Sequence, residues 1–214
     1  MFVGSSSGWE NKVEMGKGRS AGIEFMAQKT AGKTTGWLSY TLSKSDRKFT
    51  KGGINNGEWF PYKYDRRHSI NLTINHKFSD RIDIGASWVF YTGGTSTIPE
   101  EKTTVIRPHN GANNGFLWYG TYDNTNSSPT IGDVSYIEHR NNFRLPASHR
   151  LNLGVNFNKK TKHGMRTWNI SLYNAYNAMN PAWVYRGHNK QGLSVIKKYT
   201  LLPLIPSFTY TYKF

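Results

Sequence analysis

The chain has 214 residues, carries 28 Lys and Arg against 13 Asp and Glu, and contains no cysteine, which excludes disulfide scaffolds and thiolate metal sites. Mean hydropathy is −0.65, and no apolar run approaches the roughly 18 residues that a membrane-spanning helix needs. A transmembrane β-barrel is not excluded, because strands that alternate lipid-facing and lumen-facing side chains average to a polar value.

Taken in chain order, the dominant signal is alternation with a period of two. Ala21, Ile23, Phe25 and Ala27 alternate with Gly22, Glu24, Met26 and Gln28. A turn over Ala31, Gly32, Lys33 and Thr34 follows, after which Leu38, Tyr40 and Leu42 oppose Ser39, Thr41 and Ser43. Beyond a long polar connection, residues 44–67, a third run sets Ile70, Leu72, Ile74 and Phe78 against Asn71, Thr73, Asn75 and Lys77, with His76 interrupting the apolar face. Ser79 and Asp80 form a tight hairpin turn into the fourth and clearest run, residues 81–91, where Ile82, Ile84, Ala86, Trp88 and Phe90 share one face.

A second long connection, residues 92–149, leads to Leu151, Leu153, Val155 and Phe157 against Asn152, Gly154, Asn156 and Asn158. A short turn near residues 159–164 joins this run to Trp168, Ile170 and Leu172. The third long connection, residues 177–201, precedes the last run, Phe208, Tyr210, Tyr212 and Phe214 against Ser207, Thr209, Thr211 and Lys213. A separate strand near residues 193–201 would break the parity that brings the last strand back toward the short turns, so seven strands are expected, with Pro203 and Pro206 in the outer part of the last one or at a bulge.

The central stretches of these apolar faces carry no formal charge, while Glu24, Lys77 and Asp83 fall on the opposite face. A basic side chain facing lipid near the midplane costs about 2–4 kcal/mol and one facing the lumen does not. Short turns alternate with long connections, as in a barrel with periplasmic turns at one end and extracellular loops at the other. Phe78, Phe157, Trp168, Tyr212 and Phe214 lie toward the short turns and Tyr40, Trp88, Phe90, Tyr91 and Tyr176 toward the long loops, the placement of two interfacial aromatic girdles. The formal charge of +15 is spread along the chain; without one basic run interleaved with aromatics, nucleic acid is not an expected partner, and outer-membrane lipid and lipopolysaccharide are.

Five segments carry a family resemblance: residues 36–45 (GWLSYTLSKS), 64–68 (YDRRH), 143–155 (FRLPASHRLNLGV), 168–181 (WNISLYNAYNAMNP) and 206–214 (PSFTYTYKF). Together they span nearly the whole chain, which resembles the C-terminal third of TonB-dependent outer-membrane receptors of Bacteroidota. The resemblance implies an all-β fold, about seven antiparallel meander strands of a transmembrane barrel of about 22 strands with a plugged lumen. It also implies import of a scarce nutrient (a siderophore, vitamin, glycan or peptide) on energy passed through TonB. Residues 1–214 are then expected to be the C-terminal part of the barrel domain, with plug domain and signal peptide absent, since the first eight residues have no basic region and no apolar stretch. The implied partners are the remaining N-terminal barrel and plug, TonB through that plug, a surface lipoprotein, and the barrel-assembly machinery, which reads Phe208, Tyr210, Tyr212 and Phe214 as an aromatic-ended last strand.

Catalysis is not expected, and no cofactor is. The seven histidines lack paired ligand spacing, so no metal site is read. Gly16, Gly18 and Gly22 miss the dinucleotide fingerprint, and nothing fixes the separation of Glu100 and Glu101, or of Asp123 and Asp133. The connection 92–149 does hold Trp118, Tyr119, Tyr122, Tyr136 and Arg140, stacking rings beside a cation and many amides, which suit sugars and chelates as ligands. Two other readings are a small self-contained porin or adhesin barrel, and a soluble carbohydrate-binding β-sandwich whose apolar faces bury each other.

Overall fold

The computed structural model describes residues 15–50, 53–107 and 130–214, and over 101–107 and 130–135 it describes the backbone. Among the described residues there is no α-helix, and the strands are β1 (Lys17–Lys29), β2 (Thr34–Lys48), β3 (Phe60–Pro61), β4 (His68–Lys77), β5 (Ile82–Tyr91), β6 (Thr95–Ser96), β7 (Glu101–Arg107), β8 (Thr130–Tyr136), β9 (Phe143–Arg144), β10 (Ser148–Thr161), β11 (Gly164–Tyr173), β12 (Pro181–His188), β13 (Ser194–Thr200) and β14 (Ile205–Lys213). Residues 99–138 form one compact unit, the antiparallel hairpin β7–β8 paired from Glu101 with Tyr136 to Arg107 with Thr130. The rest of the described chain forms the other.

That larger unit is built on an all-antiparallel sheet in the order β1-β2-β4-β5-β10-β11-β14, with β3 added beside the far end of β2. All seven expected alternating runs are strands of this sheet. Among the described residues the sheet stays open, with no strand on the outer side of β1 or of β14. Because partners facing each other across an antiparallel ladder share a face, the register decides which side chains lie together. Ile23 pairs with Leu42, Phe25 with Tyr40, and Ala27 with Leu38. Tyr40 then pairs with Ile70 and Leu38 with Leu72, Ile70 with Phe90 and Leu72 with Trp88, Trp88 with Leu151 and Ala86 with Leu153, Val155 with Ile170 and Phe157 with Trp168, and Ile170 with Phe208 and Trp168 with Tyr210. One apolar row therefore crosses all seven strands without a slip.

The opposite face is polar and hydrogen-bonded within itself. Asp83 accepts from Asn156 Nδ2 at 2.7 Å and from Asn158 Nδ2 at 2.6 Å, Asn169 Nδ2 donates to Asn156 Oδ1 at 2.7 Å, and Thr167 donates to Asn158 Oδ1 at 2.7 Å. This ties β5, β10 and β11 together on the side where the sequence places its charges.

Among the described residues the apolar face is not covered: only Phe60 and Ile98 are buried apolar side chains, both outside the seven long strands, whereas Ile23 is 72% exposed, Ile170 50% and Phe208 65%. Among the described residues these apolar rows do not bury one another as the two sheets of a sandwich would.

Tight turns occupy one end of the sheet and long connections the other. Ser79 and Asp80 turn β4 into β5 with the Ser79 hydroxyl accepting from the amides of Arg81 and Ile82, both at 3.2 Å. Gly164 opens β11 directly under the end of β14, and Met165 pairs with Lys213, so the last strand runs toward the tight turns and Phe214 ends there. The long connections differ from the polar loops expected: 92–149 contains β6 to β9, and 177–201 contains the hairpin β12–β13, paired from Pro181 with Thr200 to His188 with Ser194. A strand at 194–200 does exist, then, correcting the expectation of none near 193–201. Among the described residues it pairs only within its own hairpin, so the parity of the seven-stranded sheet survives. Pro203 precedes β14 and Pro206 lies near its beginning, opposite Leu172.

A Cβ at Gly164 would run into the Lys213 carbonyl, so Gly164→Ala is expected to cost about 1 kcal/mol or more. Amide exchange should quicken roughly fivefold or more at the β11–β14 pairs next to Gly164, while the β4–β5 pairs stay unchanged.

Candidate functional site

The long-loop end is held by a carboxylate and two guanidinium groups. Residues 62–68 carry one acid among three basic residues, and the Tyr62 carbonyl, accepting from the Asp65 amide at 2.8 Å, folds that acid inward. Asp65 is 1% exposed. Its Oδ2 accepts from Arg144 Nη2 at 2.6 Å and from Arg67 Nε at 3.0 Å, and its Oδ1 accepts from the Ser45 amide at 2.7 Å. Arg144 Nη1 also donates to the carbonyls of Asp65 and Gly93, both at 2.9 Å. A single side chain thus bridges the connections after β2, after β5 and before β10. Burial by itself pushes the Asp65 carboxyl up; the hydrogen bonds from Arg144, the Ser45 amide and Arg67, with the Arg67 charge, outweigh it and hold the group below the ordinary carboxylate value.

Around this anchor, amides close the remaining gaps. Asn142 pairs with the Ile98 backbone in both directions, at 2.9 Å each. Asn141, at φ +56, donates from Nδ2 to the Pro61 carbonyl at 2.8 Å. Asn55 takes the Arg140 amide at 2.7 Å and gives to its carbonyl at 3.1 Å. Gly93 packs so closely on the Leu145 carbonyl that a Cβ would collide with it.

A second knot lies above β10 and β11. Asn174, 1% exposed and at φ +54, donates from Nδ2 to the Ala178 and Leu202 carbonyls at 3.0 and 3.1 Å while its Oδ1 accepts from the Ala178 amide at 2.8 Å. Asparagine tolerates that left-handed backbone better than other side chains and supplies both a donor and an acceptor there. Nearby, Tyr176 Oη lies 2.8 Å from His149 Nδ1 and accepts from Trp88 Nε1 at 3.1 Å, marking where the apolar row ends.

What this scaffold presents is a set of half-exposed rings. On β12–β13, Trp183 and Tyr199 stack with centroids 4.3 Å apart and planes within 8°, with Tyr185 and Lys197 on the same face of the hairpin. Tyr64, next to the Asp65 anchor, is exposed but meets the edge of Tyr62 at 5.5 Å and has the Lys63 ammonium over its ring, and Arg66 lies over Tyr91 at 4.0 Å. Flat rings beside cations and amides can recognise a polar ligand with planar or sugar-like faces.

Of the ligand-contact residues expected from the sequence, Trp118, Tyr119 and Tyr122 lie outside the described residues. Tyr136 is exposed at the end of β8, its carbonyl accepting from the Glu100 amide at 2.9 Å, and Arg140 belongs to the other unit, where Asn55 pins its backbone. The last-strand aromatics line up on β14: Trp168 stacks on Phe208 at 5.0 Å and meets Tyr210 at 4.5 Å, and Tyr212 lies 6.3 Å from Phe214. Missed by sequence reasoning were the Asp65–Arg144 bridge, Asn174 and the Trp183–Tyr199 pair. A lone acid inside a basic loop, and asparagines recurring in residues 174–180, were the available signals. No family model, no curated protein and no solved structure matches the chain.

Because the Asp65 carboxyl is held below its unfolded value, its contribution is complete at neutral pH and fades as pH falls through that lowered value, below about 3.8. Arg144→Ala should loosen the loop end by about 3 kcal/mol, the low end for breaking a buried pair because Arg67 remains. Limited proteolysis within residues 53–67 is the readout: cleavage should rise in the variant at neutral pH, and in the parent only on acidification.

Proposed function

We propose that this chain is the C-terminal transmembrane segment of an outer-membrane receptor of the TonB-dependent kind, taking part in the import of a scarce nutrient such as a siderophore, vitamin, glycan or peptide. The observation that carries the reading is the uncharged apolar row, continuous over seven strands and left uncovered by the fold. In water, each such Leu, Ile or Phe forgoes about 1.5–3 kcal/mol of burial, and a patch this broad marks a surface meant for something apolar. Hydrocarbon fits it better than a protein partner does: the row stops at polar edges on both sides, at His68 and the Trp88–His149–Tyr176 cluster toward the loops and at Lys29 and Arg166 toward the turns.

The open edges fit the same picture. In a bilayer every backbone donor and acceptor has to be paired inside the protein, so β1 and β14 would pair with further strands, and the polar face carrying Asp83 and its asparagines would line the lumen against a plug. TonB would act through that plug. Phe214 ends on the side of the tight turns, which would be the periplasmic side from which the assembly machinery would meet it, and the rings at the loop end would face the outside and meet the ligand.

Two substitutions on adjacent residues of β4 separate the faces. In the full chain reconstituted in phospholipid vesicles, Leu72→Arg, in the apolar row, should destabilise by about 2–4 kcal/mol in a denaturant titration, and Thr73→Arg, on the polar face, by no more than about 0.5 kcal/mol. Equal tolerance of both, or a parent chain that stays in the aqueous phase without detergent, would overturn the proposal.

A further inference from the structure

On the apolar side of the sheet, β1 and β2 run past the start of β4 and carry three more rungs, and the character of the side chains changes there. Below, Ile23 faces Leu42, which in turn faces His68. Above come Ala21 with Lys44, Arg19 with Asp46, and Lys17 with Lys48. Four cations thus surround one carboxylate, on rungs about 7 Å apart along the strand. Asp46 is buried and acts as their hinge: its Oδ2 takes Arg19 Nη2 at 2.9 Å, Arg19 Nε at 3.0 Å and Lys44 Nζ at 3.5 Å, drawing both heads to one point while each side chain stays half exposed. The Arg19 guanidinium is further held over the Trp59 ring at 4.3 Å. At this end an open groove of about 460 Å³ runs past Lys17, Arg19 and Arg47.

We propose that Lys17, Arg19, Lys44 and Lys48 form a binding site for the phosphate groups of an anionic glycolipid headgroup at the outer boundary of the bilayer. The proposal rests on the reading that the apolar row meets hydrocarbon. One carboxylate neutralises one of four cations and leaves the surplus for an outside anion. The surplus sits directly above the last apolar rung, at the depth where a headgroup phosphate lies when its acyl chains run along Ile23, Phe25 and Leu42. A pre-held guanidinium suits phosphate oxygens, accepting little further ordering on binding. A free anion would need the cations alone; a lipid also uses the row beneath them.

The test uses the full chain in phosphatidylcholine vesicles doped with bis-phosphorylated lipid A, with dephosphorylated lipid A, or with neither, alongside inorganic phosphate as a soluble competitor. Phosphorylated lipid A should bind at least tenfold more tightly than its dephosphorylated form, and Arg19→Ala/Lys44→Ala should lose about tenfold or more, at roughly fivefold for each basic residue near a charged surface. Arg19→Lys/Lys44→Arg should retain most of the binding, and Lys160→Ala/Lys162→Ala, at the tight-turn end, all of it. Added salt should weaken the interaction. Indifference to lipid phosphorylation, equal losses from both alanine pairs, or displacement by millimolar inorganic phosphate would overturn this site alone. A chain that does not enter plain phosphatidylcholine vesicles would overturn the membrane reading and this site with it.

Discussion

Everything in the larger unit depends on a strict parity: along the central stretch of each of seven strands the apolar side chains fall on one face, and no pairing in the sheet slips by a single residue. One slip in any ladder would turn that strand over and bring its polar side chains, Asp83 or Glu24 among them, into the apolar row. The ladder hydrogen bonds and the turn lengths keep the count. The Asp83 network enforces it from the polar side, because Asn156 and Asn158 reach the carboxylate only in the observed register. Stability of a soluble kind does not follow from this, since the row that parity creates is not buried within the described chain.

The loop end obeys a different rule. There the chain is irregular, backbone groups have no ladder, and the shortage is made up by side chains that carry several hydrogen bonds each. Arg144 fixes two carbonyls and a carboxylate, Asn174 two carbonyls and an amide, Asn142 both groups of Ile98. Charge enters the interior only where it is answered: Asp65 has two guanidinium groups and an amide, and so remains ionised. Rings that would serve recognition can then stand exposed on a rigid base, a division of labour between framework and contact surface that suits a binding role.

How much of this was visible beforehand follows from the range of each interaction. Alternation is local, so all seven sheet strands, their faces, the tight turns and the direction of β14 could be read from residues such as Ile82 to Phe90 and Leu151 to Phe157. The hairpin β12–β13 could not, because Trp183, Tyr185 and Tyr199 are broken up by Gly187, Asn189 and Gly192 and lack the length of a spanning run. Parity excludes a strand at 194–200 only from the main sheet, and β13 pairs with β12 instead. The Asp65 bridge lies further still from view: its partners are separated by seventy-nine positions, and a lone acid in a basic loop announces a need for cations without saying which. Within residues 92–149 the reading rested on composition, which places no side chain against another.

The meander order has a kinetic side. Strands β1 to β5 are joined to their neighbours by turns or by one moderate loop, and β10 to β11 by a turn of two residues. The junction between β5 and β10 is different, because residues 92–147 have to be looped out before Ser148 can meet Tyr91. Loop-closure entropy grows by only about 0.6 kcal/mol for each doubling in length, so closing this connection costs about 3 kcal/mol more than closing the tightest turn. That is small at equilibrium and large for a rate. The β5–β10 ladder thus closes the longest loop in the sheet, and its pairing is the step at which the Asp65–Arg144 bridge, spanning the same divide, can first form.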